Sequence, residues 1–491
     1  MNFRTPTNQD IHTAFEQGEA AVRDLVYALA TQIEVLVQHV TKQGETLQAL
    51  QGRLAKTSRN SSKPPSSDGY GKVKRTESLR KSGEKPNGGQ PGHEGHTLSA
   101  SDEPDRIEMH GVEQCAHCQA SLVGIKVAGY EERQVFDIPT LRIEVTAHRA
   151  EIKVCPACGH PSIGPFPDTV THTVQYGPTV ATWASYCTNY HHIPVERTTE
   201  IFDDLVQHRV SEATVLKASE HLDTCIAPAT AAVKEQLRAA AVLHVDESGL
   251  RVEGKLHWLP VASTDTLTDD EVHAKRGHEA MEAAGILGAF RGTAVHDHWT
   301  PYFRYTGCEH ALCNAHHLRE LPFIDKQYHQ PWANDMADLL REMKVAVDKT
   351  PAPAVSLAPS QLEAFAQRYD EVVKAGIAAN PRTVPQVTKR GRPKQPPPLN
   401  LAMRLRDCKA LVLAFMYDFR VPFDNNQGER DIRMVKVKQK VSGGFRTLEG
   451  AKRFGRIRGY LSTARKHAKN VFEAIRDAFD GTPFIPSPET H

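Results

Sequence analysis

Two Cys-x-x-Cys pairs, Cys115-Ala-His-Cys118 and Cys155-Pro-Ala-Cys158, stand 36 residues apart and limit what the chain around them can become. Four thiolates complete a tetrahedral Zn²⁺ shell with no vacant position, which makes a structural site. Closing it requires the intervening segment to fold back on itself. GYEERQVFDIP and LRIEVTAHRAEIKV within that segment are rich in β-branched and apolar residues, so hairpin sheets are expected to bring the two pairs together. Pro156 and Gly159 suit the tight turn of a knuckle. The competing reading, a pair of redox dithiols, lacks the βαβ pattern such motifs accompany. Zn²⁺ held by Cys115, Cys118, Cys155 and Cys158 is the expectation.

At 491 residues the chain exceeds one ordinary core, and several domains are expected. No apolar run approaches the roughly 18 residues of a membrane span, and MNFRTPTNQD lacks a signal-peptide core. These features predict a cytoplasmic protein with no membrane partner. Sixty basic against 59 acidic residues give a formal charge of +1, which by itself points to no nucleic acid. The charges are unevenly spread, however: Arg420 to Lys469 holds 14 Lys and Arg against 4 Asp and Glu.

Near the N-terminus, Val22, Val26, Leu29, Ile33, Leu36, Val40, Gln43, Leu47, Leu50 and Leu54 recur at alternating steps of four and three. This heptad seam predicts a coiled coil and a homo-oligomer, although Gly44 and Gly52 each weaken the helix by about 1 kcal/mol. Ser58 to Thr97 reads as a basic flexible linker. Farther on, PVERTTEIFDDL and SEATVLKASEHL, with Ser211 as N-cap, suggest two helices around a turn. A helix-turn-helix is one reading. The second helix carries Glu212 and Glu220 against Lys217 alone, so helix packing competes with groove reading.

Ala241 to Val261 alternates apolar residues with turn formers and reads as strand, turn at Ser248 and Gly249, short strand, turn at Gly254 and Lys255, strand. Asp246 lies on it among Val242, Leu243 and Val245, where desolvating a carboxylate is costly without a cation. Glu247 points to the opposite face. A second strand, Gly292 to Asp297, again delivers an acid to its C-terminal end. After it, Cys313-x-x-His316 has metal-like spacing; a second metal site, hydrogen bonding that orients the acids, or a half-buried helix start all account for it, and two ligands alone favour the latter two. Asn425 or Asn426 caps a helix whose first turn holds Glu429, kept ionised by the helix dipole and by Arg430 and Arg433. Lys436, Lys438, Lys440 and Arg446 continue a basic surface suited to a phosphate backbone. Within a Pro-rich run, Lys389 to Lys394 resembles an AT-hook whose Arg390 and Arg392 fit a narrow minor groove. Two acids at strand ends, a third on a helix and a basic flank describe a site for two hard divalent cations, Mg²⁺ or Mn²⁺, acting on a phosphodiester.

SSKPPSSDG (Ser61 to Gly69), GGQPGHEGHTL (Gly88 to Leu98), the four-cysteine ribbon, HVDES and FDNNQGERDIR together resemble the transposases of bacterial insertion sequences, in particular the insertion-sequence 66 family. The resemblance covers nearly the whole chain in the right order. It implies a DDE transposase whose RNase-H-like mixed-sheet catalytic domain is split by a helical insertion, with Asp246, Asp297 and Glu429 as the metal-binding triad and Asn425, Asn426 and Arg430 beside it. It further implies cleavage at terminal inverted repeats, joining of 3′ hydroxyls to target DNA at the nucleoid, and accessory proteins of the same element. After Arg433 the chain departs from many relatives, with Lys438-Gln-Lys440 and Val-Ser-Gly-Gly-Phe445 where a run like Arg-Lys-Asn and a Gly-Ser turn are usual.

The multidomain α/β organisation expected is a coiled coil (1–57), linker (58–98), zinc ribbon (99–168), helical domain (169–238), first catalytic part (239–324), helical insertion (325–400), last catalytic part (401–481) and tail (482–491). A metal-dependent nuclease or resolvase, and a non-catalytic DNA-binding regulator, are the alternatives.

Overall fold

The computed structural model describes residues 5–55, 98–381 and 395–488. The basic linker and the AT-hook-like run with Arg390 and Arg392 lie outside the described residues. The chain divides into two compact units, residues 73–164 with 201–209 forming the smaller one.

In the smaller unit the two knuckles share one backbone pattern. Cys115 N–H donates to Ala120 O at 2.9 Å and Gln119 N–H to Cys115 O at 2.9 Å; Cys155 N–H donates to His160 O at 3.0 Å and Gly159 N–H to Cys155 O at 2.8 Å. Each turn closes on a residue of positive φ, +59° at Gln119 and +71° at Gly159, which glycine adopts freely. The hairpin sheets expected between the knuckles are not formed. Among the described residues of this unit, pairing is limited to β1 (Ile152–Val154) against β2 (Pro161–Ile163) around the second knuckle and a single antiparallel bridge, Gln114 with Ser121, around the first. Strand propensity there had no core to act on: Val135, Ile138 and Val145 are all exposed, and a ladder without an apolar face to bury is marginal in water.

The larger unit is built on a five-stranded sheet of β3 (Val242–Val252), β4 (Lys255–Ser263), β5 (Thr268–Asp270), β6 (Thr293–His296) and β7 (Glu309–Leu312), in the order β5-β4-β3-β6-β7. β3, β4 and β5 are antiparallel; β6 is parallel to both β3 and β7. The turn expected at Ser248 and Gly249 is absent. β3 runs through both, pairing Ser248 with Leu259 and Gly249 with Trp258, because Leu250 and Val252 continue the buried face beyond them. The second expected turn is the one that forms, one residue earlier than expected, at Glu253 and Gly254, whose φ values of +51° and +74° are those of the type I′ turn that matches strand twist.

One face of β3 and β4 packs Leu250, Val252, Leu259 and Val261 against Ile432 and Val435 of the Asn426–Ser442 helix and Phe454 of the Leu448–Lys466 helix. Leu243, Val245 and Ala294 face a second core with Met281, Phe290 and Tyr302. The helical segment between the second and third acids has a core of its own, in which Leu321, Trp332, Met336, Tyr369, Leu405 and Met416 are buried. That core runs from the Asn314–Tyr328 helix to the Lys409–Tyr417 helix, wider on both sides than residues 325–400.

The Glu212–Cys225 helix begins at Ser211, whose side chain accepts from Thr214 N–H. Its Leu222 packs with Ile457, Leu461 and Ile475 of the C-terminal helices, so this face of the helix is given to packing. The N-terminal seam lies on a single helix, Glu19–Ala55. Val26, Ile33, Leu36, Val40, Leu47, Leu50 and Leu54 are exposed on it. Gly52 is where that helix approaches Tyr328: a Cβ there would stand 2.3 Å from the phenolic oxygen. No helix among the described residues is long and apolar enough to cross a membrane.

Candidate active site

Asp246 lies on the central strand, Asp297 one residue past the end of parallel β6, and Glu429 in the first turn of the Asn426–Ser442 helix. Asp297 and Glu429 lie near enough to Asp246 for their charges to act on it, though the three carboxylates are not among the described groups whose ligand atoms fall within 4.8 Å of one another. Burial pushes the Asp246 carboxyl well above the usual carboxylate range, and the negative charges of Asp297 and Glu429 push it further. Burial also raises Asp297, against the pull of His316 and Arg276. Each aspartate is aimed by a local backbone donor: Glu247 N–H donates to Asp246 Oδ1 at 2.7 Å, and Trp299 N–H to Asp297 Oδ1 at 2.9 Å. Glu429 is held by Arg319, whose Nη2 donates to both carboxylate oxygens at 2.9 Å.

Asn425 ties the helix to the sheet. It occupies the N-cap position, but its side chain makes no capping bond. Instead His244 Nδ1 donates to Asn425 Oδ1 at 2.8 Å, Asn425 Nδ2 donates to Val245 O at 2.8 Å, and Asn425 N–H donates to Cys313 Sγ at 3.1 Å. The residue is 2% exposed, so the bonds are made away from water, where leaving them unmade is costly. Gly428, one turn on, permits the approach: a Cβ there would lie 3.4 Å from Asp246 Cβ.

Arg319 and this role of Asn425 were not apparent from sequence. Steps of three in Cys313-x-x-His316-x-x-Arg319 were the available signal, since residues three apart share a helix face. His316 Nε2 is 3.9 Å from Glu429 Oε1, and ligand atoms of Cys313, His316 and Glu429 all lie within 4.8 Å of one another. Among the described residues this is the one trio of potential ligand atoms at that spacing, and the four ribbon thiols stand as two separate pairs. In each pair the first thiol is lowered from its ordinary range by backbone N–H groups aimed at it, foremost that of Cys118 for Cys115 and that of Ala157 for Cys155. A thiol poised to ionise is the form that ligates zinc.

On the other side of the acids, Glu247 pairs with Arg276, and the guanidinium lies between the rings of Trp258 and Trp299, 4.4 and 4.1 Å from their centroids. Burial nonetheless raises Glu247 to about 7. The basic surface divides into two sets. Arg430, Arg433, Lys440 and Arg446 are exposed. Lys436 turns inward to Gly249 O at 2.7 Å, and Lys438 stands 3.8 Å over the Phe445 ring, its ammonium lowered to about 8 by burial. Arg456 is paired with Asp223 at 2.6 Å and Arg453 with Glu220 at 3.1 Å, leaving the exposed four as the outward cations of the Asn426–Ser442 helix and the turn after it.

Comparison with known families gives the class as a transposase: residues 173–453 match the model of the Transposase IS66 family. The match spans more than half of the 491 residues, and the chain belongs to that family. Residues 113–159 match the zinc-finger binding domain of transposase IS66, which supports structural Zn²⁺ at the two knuckles. Residues 4–99 match a family of unknown function (DUF6444). No curated protein matches the chain.

Proposed function

We propose that this transposase cuts and joins DNA by a two-metal DDE mechanism in which Asp246, Asp297 and Glu429 hold the catalytic ions. The observation that carries the reading is the repulsion at Asp246, where burial and the charges of Asp297 and Glu429 act in the same direction. The three carboxylates come from separate elements, near enough for the charges of Asp297 and Glu429 to act on Asp246, and they offer hard oxygen donors only, which fits Mg²⁺ or Mn²⁺. When bound, such ions activate the attacking oxygen and stabilise the leaving oxygen of a phosphodiester. The chain's own groups orient the acids: Glu247 N–H at Asp246, Trp299 N–H at Asp297 and Arg319 at Glu429.

The mixed sheet, with acids on its central strand and just past the neighbouring parallel one, supports an RNase-H-like core split by the helical layer before Glu429. Arg430, Arg433, Lys440 and Arg446 suit the phosphate backbone of the element's inverted repeats and target. Two or more chains would associate through the apolar seam of the Glu19–Ala55 helix, alongside accessory proteins of the same element, at the bacterial nucleoid.

The test is strand transfer of a pre-cut repeat end into plasmid with Mg²⁺ present. Wild type should give joined product; Asp246→Asn should fold, bind DNA and give none. Nicking without joining by wild type would favour a hydrolytic nuclease or resolvase. Full joining by Asp246→Asn would overturn the triad.

A further inference from the structure

We propose that Cys313, His316 and Glu429 form a transition-metal site that shares its carboxylate with the acidic triad. From sequence, Cys313 and His316 are two ligands without a third. The fold supplies the third from 113 residues beyond His316: Glu429 arrives on the Asn426–Ser442 helix, and the three ligand atoms fall within 4.8 Å of one another. One thiol, one imidazole and one carboxylate with an open fourth position match the donor set of an open zinc site, and the soft sulfur sets it apart from an all-oxygen Mg²⁺ site.

Two observations support the ligand roles. His316 Nδ1 is buried without a hydrogen-bond partner while Nε2 faces Glu429, so the ring has a donor atom with no other use. Cys313 Sγ accepts the Asn425 N–H at 3.1 Å, the kind of contact that steadies a metal-bound thiolate from outside the first coordination sphere. Asp297, His298, Cys313 and His316 line one small cavity, so the position next to the trio opens toward the second acid.

Binding is balanced as follows. The Cys313 thiol gives its proton to solvent as the S–metal bond forms, His316 contributes the lone pair of its neutral ring, and Glu429 stays a carboxylate. Arg319 must yield at least one of the two oxygens it now holds. The proposal rests on the trio alone; the roles of Asp246 and Asp297 in catalysis do not enter it.

The test counts zinc in the purified full chain by native mass spectrometry and repeats the count with Co²⁺, following thiolate charge-transfer absorption. Wild type should carry two ions per chain, one at the knuckles and one here. Cys313→Ser, which keeps an acceptor for the Asn425 N–H, and His316→Gln should each carry one, while Cys155→Ser should lose the other ion and keep a Co²⁺–thiolate band that Cys155→Ser/Cys313→Ser lacks. Asp246→Asn should keep both ions while losing strand transfer, so the site and the catalytic triad fail separately. A wild-type count of one that Cys155→Ser reduces to none, or a count of two that neither Cys313→Ser nor His316→Gln reduces, overturns the site. Circular dichroism of each variant at the wild-type melting temperature excludes loss of metal through unfolding.

Discussion

Arg319 grips Glu429 through one nitrogen: Nη2 lies 2.9 Å from each carboxylate oxygen, with the pair about one-third exposed. An arginine in that position offsets the charge that a metal ion would otherwise meet, so the guanidinium and a divalent ion compete for one carboxylate. Arg319→Gln should therefore raise the affinity for Mn²⁺ severalfold by isothermal titration calorimetry. Being partly exposed, the lost ion pair should cost about 1 kcal/mol of folding stability or less. An unchanged or weaker Mn²⁺ affinity would mean that Arg319 prepares Glu429 for the ion instead of competing with it.

Asp246 makes the metal-free protein sensitive to pH. Its folded pKa is raised, by burial first and then by Asp297 and Glu429, so the stability linked to it is fully present below the unfolded value of about 3.9 and is lost as pH rises toward the folded value. Melting temperature without divalent ions should fall as pH is raised above about 4. Asp246→Asn should flatten part of that fall and leave the acid end unchanged. Mg²⁺ should restore wild-type melting most at the higher pH. A melting profile that Asp246→Asn does not alter would show that the carboxyl titrates normally.

Asn425 makes its bonds to His244 and Val245 away from solvent. Asn425→Ala strands a buried imidazole donor and a carbonyl, each costing about 1–3 kcal/mol. The melting temperature should drop by several degrees, and strand transfer should fall further than DNA affinity, because the helix carrying Glu429 loses its tie to the strand carrying Asp246. Equal loss of both would make Asn425 a stability residue alone.

What was legible in the sequence was what local pattern encodes. Alternating apolar residues marked β3 and β6 and the acids they carry, the Cys-x-x-Cys spacing marked two knuckles, and steps of four and three marked the long N-terminal helix. Where tertiary pairing outweighed local preference, the sequence misled. Ser248 and Gly249 have turn chemistry, yet pairing with Leu259 and Trp258 keeps them in the strand. Val135 and Val145 have strand chemistry but no face to bury. Asn425 has capping chemistry, yet bonding to His244 and Val245 takes its side chain elsewhere. Arg319 continued the steps of three from Cys313 and His316, but its partner Glu429 stood 110 residues away, where no local pattern could point to it.

The exposed seam of the Glu19–Ala55 helix predicts a change of assembly. Ile33→Lys with Leu47→Lys places charge at two of its apolar positions, both now 59% exposed. Monomer folding should be unchanged by circular dichroism, while sedimentation equilibrium should shift from oligomer to monomer. A monomeric wild type at micromolar concentration would remove the coiled-coil reading.

The division of the basic surface predicts two different outcomes for arginine substitutions on neighbouring helices. Arg433 is exposed, whereas Arg456 is tied to Asp223 and Glu449. Arg433→Glu with Lys440→Glu should weaken binding to repeat-end DNA at every sequence tested and lower the dependence of log affinity on log salt by about two phosphate contacts. Arg456→Ala should leave that slope unchanged and lower the melting temperature instead, since it leaves the 17%-exposed Asp223 side chain without its bidentate partner. Fluorescence anisotropy across a salt series reads the first effect and differential scanning calorimetry the second. If Arg456→Ala reduced the salt slope as much as the double charge reversal, DNA would have to open the Asp223 pair, and the outward face of the Asn426–Ser442 helix would not be the main phosphate-binding surface.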